Sequence, residues 1–333
     1  MRNEPLRART LAVAAVAGRT RAERFSSRVT SALPWLLFAL LAAFPLCAQE
    51  AAPSRLLPEQ RYFTDPIADL REPRFAVGLA WTDLFRRPPV EHPSFAFPDA
   101  EDAAVDVHGT AGMGATLPLW QLARWPQGGA ILAVQAGVTA RFRMEKPSRD
   151  HVATDWSVAL PVEVAWNQLS GRLRLLHRSS HLGDELMQQT GAEHIEVSHE
   201  AVDFLVAYGL LSGTARIYGG STFVFRSTTE EVPAFSLVGL RDDASLQVGM
   251  DGAWFPQSGG TVGLIGGFDW QRAQRTGWMN EVSAAAGVVV RNGSRSLQLV
   301  ARYFRGPSPF GQFFLTSEQF LGLELVAGTS PFP

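Results

Sequence analysis

The sequence predicts an all-β protein, an antiparallel transmembrane β-barrel of about twelve strands, and three observations carry that expectation. From Glu72 to near the end, apolar residues alternate with small or polar ones in segments of about ten residues, the period of strands with two unlike faces. Tryptophans stand at the ends of several apolar rows, where aromatic girdles mark the two edges of a bilayer. The connections alternate between short and long, as in a barrel with tight turns at one end and loops at the other.

The chain opens with a segment of different texture. Arginines precede an apolar stretch from Trp35 to Leu46, and Ala48 offers a cleavage residue, so 1–48 reads as a secretory signal peptide. The stretch is short and lies between Pro34 and Pro45, which argues against a membrane anchor. Cys47, the only cysteine, falls inside the signal, and Phe44, Pro45 and Leu46 before it lack the small residue of a lipidation site. A mature chain without cysteine excludes disulfides and cysteine catalysis. Residues 49–72 are Pro-rich and mixed, and read as a periplasmic lead-in without a core of its own. Residues 73–333 form the expected barrel.

Within it, 154–167 shows the pattern best. Trp156, Val158, Leu160, Val162, Val164 and Trp166 share one face, and Asp155, Ser157, Ala159, Pro161, Glu163 and Ala165 the other. Two tryptophans thus bracket an apolar row of the length that a tilted strand needs to cross hydrocarbon. Similar rows place strands at 73–83, 104–118, 129–144, 171–182, 200–211, 214–227, 244–255, 260–272, 280–291, 296–304 and 319–328. Asn167 to Gly171, Ser212-Gly213, Pro256 to Gly260 and Asn292-Gly293-Ser294 supply turn chemistry. Longer loops fall at 84–103, 183–199, 228–243 and 305–318. An even strand number puts both ends of the barrel on the short-turn side, the periplasmic side of a bacterial outer membrane. Arg172, Arg174, Arg216, Arg302, Asp203, Asp251, Asp269 and Glu324 then face the interior, where charges of both signs should pair and partly plug a narrow lumen.

Charged residues make up 19% and the net charge is -2, which gives no reason to expect nucleic acid; the barrel reading makes membrane lipids the expected partner. No cofactor motif stands out. Gly219-Gly220 and Gly266-Gly267 lack the helix that follows a phosphate loop and read as strand glycines.

One cluster could carry chemistry. Four of the seven histidines lie between 177 and 199. By alternation Leu173, Leu175, His177, Ser179 and His181 share the lipid-facing side of a strand that runs outward. A histidine and a serine two residues apart project side by side, so Ser179 could act as nucleophile with His177 as base and Glu200 or His181 orienting the ring. The plainer reading is a polar rim where the strand leaves the membrane. A third reading gathers His181, Asp184 and Glu185, with His194 and His199, around a metal; oxygen donors would favour calcium and imidazoles zinc. Ser308 to Phe314 reads as an ordered outer loop.

The His177-Arg178-Ser179 triplet at the outer end of a barrel strand resembles the His-x-Ser pattern of outer-membrane phospholipase A and of the lipid A deacylase barrel. That resemblance implies a membrane-facing pair that hydrolyses lipid esters. A longer resemblance runs through Asp65 to Pro73, Ser179 to Glu185 and Ser308 to Phe314; these stretches look similar to a bacterial family, domain of unknown function 1207. It implies an exported barrel and supplies no reaction.

Overall fold

The computed structural model describes residues 56–85, 106–145, 149–190, 197–228, 243–256 and 260–329. The expected signal peptide and His194 lie outside them. Twelve strands run through the described residues: β1 Phe75–Thr82, β2 Asp106–Trp125, β3 Gly128–Arg143, β4 His151–Trp166, β5 Leu169–Leu182, β6 Val197–Leu210, β7 Ala215–Ser227, β8 Ala244–Trp254, β9 Val262–Ala273, β10 Glu281–Asn292, β11 Arg295–Pro307 and β12 Ser317–Thr329. Each pairs antiparallel with its neighbours in sequence, and β1 pairs with β12 from Phe75↔Ala327 to Thr82↔Phe320, which closes the barrel. A seven-residue helix, α1 Asp184–Thr190, follows β5.

Every expected strand is present, and the main departure is β2. It continues to Trp125 instead of stopping near Pro118, through register shifts at Pro118/Trp120 and Gln121/Ala123. A bulge reverses which residues face inward, so the alternation on which the sequence reading depends breaks there.

The apolar side faces out. Val158 is 53% exposed, and Trp156, Leu160, Met113, Leu175, Trp254, Leu299 and Leu323 are also exposed, whereas inward-facing Glu163 is 0% exposed. A continuous apolar belt of this kind is foreign to a water-soluble surface. Trp81, Trp156, Phe225 and Trp270 lie toward its long-loop end, and Trp120, Trp166, Tyr208 and Trp254 toward its short-turn end. Inside, charges pair as expected: Arg174 Nε donates to Asp203 at 2.9 Å, Arg216 Nε to Asp251 at 2.7 Å and Arg302 Nη2 to Glu324 at 2.8 Å.

What the sequence did not announce is the course of the lead-in. Leu56 bridges to Trp120 at the short-turn end of β2, and residues 61–74 then pass through the lumen before β1 begins. β1 matches only the stretch of β2 from Asp106 to Gly112. Beyond Gly112 that edge of β2 has no β1 beside it, and a cavity of about 490 Å3 opens there between 61–75, β2, β11 and β12.

Candidate functional site

The lumen is occupied by residues 61–74, which meet the inward side of all twelve strands. Glu163 on β4 is their anchor. Its carboxylate accepts from Arg61 Nε (3.0 Å) and Nη2 (2.6 Å), Tyr62 N (2.9 Å) and Phe63 N (3.0 Å). Glu72 takes Arg172 Nη2 at 2.6 Å and Arg174 Nη1 at 3.0 Å from β5, and Gln135 of β3 donates to it at 3.5 Å. Phe63 packs with Leu205 and Ala207 of β6 and Tyr218 of β7. Asp251 and Gln247 of β8 bond Ile67 N (3.1 Å) and Asp69 (2.9 Å). Ala68 sits against Gly267 of β9, and Arg71 donates to Glu281 of β10 at 2.8 Å. Arg302 of β11 reaches Ile67 O at 3.1 Å, and Arg74 lies 3.6 Å from Glu324 of β12. Ile67 and Ala68 share a buried cluster with Ala76 of β1. A Cβ on Gly114 of β2 or on Gly137 of β3 would come within 2.7 Å of Pro73 Cβ, so both glycines leave room for the proline. Each carboxylate here is satisfied by charge-assisted hydrogen bonds, the strong kind in a dry setting.

A second segment closes the long-loop end. Residues 308–316 turn inward, burying Phe310 and Phe313 against Leu84, Val152, Ala153, Leu182 and Leu186. Gln312 N donates to Ser180 Oγ at 2.9 Å and Gln312 Nε2 to Ser180 O at 2.7 Å. Ser180 Oγ donates in turn to Asp155, which also accepts Gly311 N at 3.0 Å. Of the neighbours Ser179 and Ser180, it is Ser180 whose hydroxyl holds these bonds. The sequence reading passed over it, although alternation puts it on the inward face. Ser308 to Phe314 is ordered as expected, but as a seal across the lumen.

The proposed outer-face site is partly assembled. His177, Ser179 and His181 do share the outward side of β5. His177 stands opposite Glu200 and Val158, and Ser179 opposite Trp156 and Ser198, level with the aromatic residues of that end. His177 Nδ1 lies 3.3 Å from Glu200 Oε1, and Arg226 Nη1 lies 3.8 Å from the same oxygen. No hydrogen bond joins His177 to Ser179 among the described residues, and Ser198 bonds Thr228 instead. His181 stands opposite Thr154, nearer the loop end.

Among the described residues no three His, Cys, Asp or Glu side chains converge where a metal ion could sit. His181 faces outward from β5, while Asp184 and Glu185 are the exposed first-turn acids of α1, where a carboxylate complements the helix N-terminus. His199 stands opposite Arg178 on the inward side.

The three stretches that carried the longer resemblance meet in space. Arg71, Ser179, Ser180, Ser308 and Gly311 line one small cavity, and Gln312 N donates to Ser180 Oγ. The family described as "Protein of unknown function (DUF1207)" matches residues 46–328. The chain belongs to that family. In this DUF1207 barrel the matched span takes in the lumen segment as well as every strand. No curated protein sequence matches the chain. Among solved structures it is similar to outer membrane phospholipase A from Escherichia coli (11% identity, 80% of this chain and 94% of that one, TM-score 0.46). It is similar too to the calcium-bound dimer of the Salmonella typhi outer membrane phospholipase (11%, 81% and 94%, 0.45). The transport unit of the Escherichia coli autotransporter AIDA-I gives 11%, 79% and 93%, with a TM-score of 0.43.

Proposed function

We propose that this protein is an outer-membrane barrel closed by its own amino-terminal segment, and that it binds at its sealed lumen rather than conducting through it. The observation that carries this reading is the contact of residues 61–74 with all twelve strands, anchored by ion pairs to β4, β5, β10 and β12. The outward apolar belt, with aromatic residues toward both ends, supports the membrane setting. Intact mature protein inserted into a planar lipid bilayer gives no steady open-pore current. Persistent ohmic conductance would overturn the closed-lumen part, and solubility of the mature chain without detergent would overturn the membrane part.

A second reading is favoured by the His177–Glu200 contact at the aromatic level of the belt. Here the protein is a lipid esterase: Ser179 Oγ attacks an ester carbonyl, His177 takes the hydroxyl proton and passes it to the departing alcohol, water then splits the acyl-serine to free the fatty acid, and Glu200 orients the ring. Purified protein then releases fatty acid from phospholipid or lipid A, and Ser179→Ala abolishes the release. Absence of release from any such lipid, with or without calcium, removes this reading.

A further inference from the structure

Three adjoining cavities, of about 90, 30 and 60 Å3, lie between the lumen segment and the 308–316 seal, and Arg71 and Arg178 line all three. The charges around them do not balance locally. Each carboxylate on these walls is already engaged. Asp69 accepts Arg71 N at 2.9 Å and Gln247, Asp203 holds Arg174, and Glu281 holds Arg71. Asp155 accepts Gly311 N and Ser180, and Asp243 accepts Arg275 N at 2.9 Å. Three of the guanidinium groups here make no side-chain hydrogen bond to a carboxylate among the described residues. Arg178 reaches only the carbonyl of Arg71, at 3.4 Å, and Arg272 Nε donates to the carbonyl of Trp278 at 2.5 Å. Arg275 Nε is buried without a hydrogen-bond partner and lies 3.7 Å from Asp243. His199 and Ser308 complete the wall of the two smaller cavities.

We propose that this chamber is a binding site for a small tetrahedral oxyanion of the phosphate type. A guanidinium enclosed without a carboxylate hydrogen bond, as at Arg178, is costly, and a tetrahedral oxyanion supplies the multi-point acceptor that several guanidinium groups can share. One water needs roughly 10–15 Å3 of such space, so the cavity of about 60 Å3 alone takes about four to six waters, room enough for one such ion. Phe314 lines both smaller cavities beneath the seal, which favours a free ion over a lipid headgroup. Burial, with Arg71 nearby, pulls the Arg275 guanidinium below its ordinary value, and a bound anion relieves that cost. The inference deepens the binding part of the proposed function, and its readout does not depend on conductance.

The test is titration calorimetry of the intact mature protein in detergent micelles with inorganic phosphate. One saturable site is expected, with chloride and acetate failing to compete at equal ionic strength. Arg178→Gln weakens phosphate binding by at least about tenfold, with the heat-modifiable gel mobility of a folded barrel retained. Should that variant fail to fold, Arg275→Gln gives the same loss. No phosphate binding overturns the proposal, as do binding unchanged in a folded variant and equal competition by chloride. Binding of a short-chain phosphate lipid in place of the free ion overturns the assignment of the ligand.

Discussion

Replacing Glu163 with Gln tests how the lumen segment is held. The carboxylate is fully buried and accepts four hydrogen bonds, two on each oxygen. A carboxylate is acceptor-only, with about four lone-pair sites, so the site uses its whole capacity. Glutamine is nearly the same shape, but its amide nitrogen must face one pair of donors. If it faces Tyr62 N and Phe63 N, two backbone donors are orphaned in a dry site, at about 1–3 kcal/mol each. If it faces Arg61, the guanidinium keeps Asp65, at 2.7 and 3.0 Å, and the loss is smaller. The cheaper arrangement prevails, at about 3 kcal/mol for the charge-assisted bonds, or about 100-fold in the population with the segment lifted from β4. Amide hydrogen exchange in detergent micelles reads this directly, because the Tyr62 and Phe63 amides are themselves donors. Their exchange should quicken about 100-fold while the amides of the β4–β5 ladder keep their protection. Exchange at both within about threefold of the wild-type rate, a change below about 1 kcal/mol, would refute the idea that this anchor holds the segment.

Three further outcomes follow from the packing. Gly137→Ala places a methyl where Pro73 now sits, 2.7 Å away, and costs about 1–3 kcal/mol in denaturant unfolding; Gly171→Ala, with nothing nearer than 3.6 Å, leaves the midpoint in place. Leu323→Arg on the middle of β12 lowers stability in lipid vesicles by about 2–4 kcal/mol if the belt touches hydrocarbon, and a neutral result counts against the membrane setting. Gln312→Ala removes the donor to Ser180 O at 2.7 Å, costs about 1 kcal/mol and speeds protease cleavage within 308–316 while the strands stay intact.

The barrel was legible because a strand with lipid on one side and charges on the other writes its period into the residues, as in Trp156 to Trp166. The lumen segment was not. Residues 61–74 are irregular, so they carry no period, and their partners are scattered along the chain as far as Arg302. Register alone misleads here: Glu163 stands opposite Arg172 across β4–β5, yet Glu163 is given to Arg61 and Arg172 to Glu72 and Asp65. By register Glu163 and Asp203 already balance Arg172 and Arg174, so nothing in the strand pattern called for Glu72. Of the outer-face cluster, alternation found His177 opposite Glu200. It could not find Ser180's role, which depends on a loop folding inward from the far end of the sequence. His181, Asp184 and Glu185 are neighbours in sequence but are divided between a strand end and a helix start, a division that sequence adjacency does not reveal.

The shortness of β1 has a mechanical consequence. It gives β2 seven rungs, from Ala76↔Gly112 to Thr82↔Asp106, beside a strand of 20 residues, and it continues directly from the lumen segment. Tension applied to the amino end therefore breaks the Leu56–Trp120 bridge first, then strips the salt bridges of 61–74 one after another, and only then loads the β1–β12 seam. Pulled from that end, the molecule behaves as a cork tied to a zipper: the force peak for extraction precedes the one for peeling, and the remaining eleven strands bear load last.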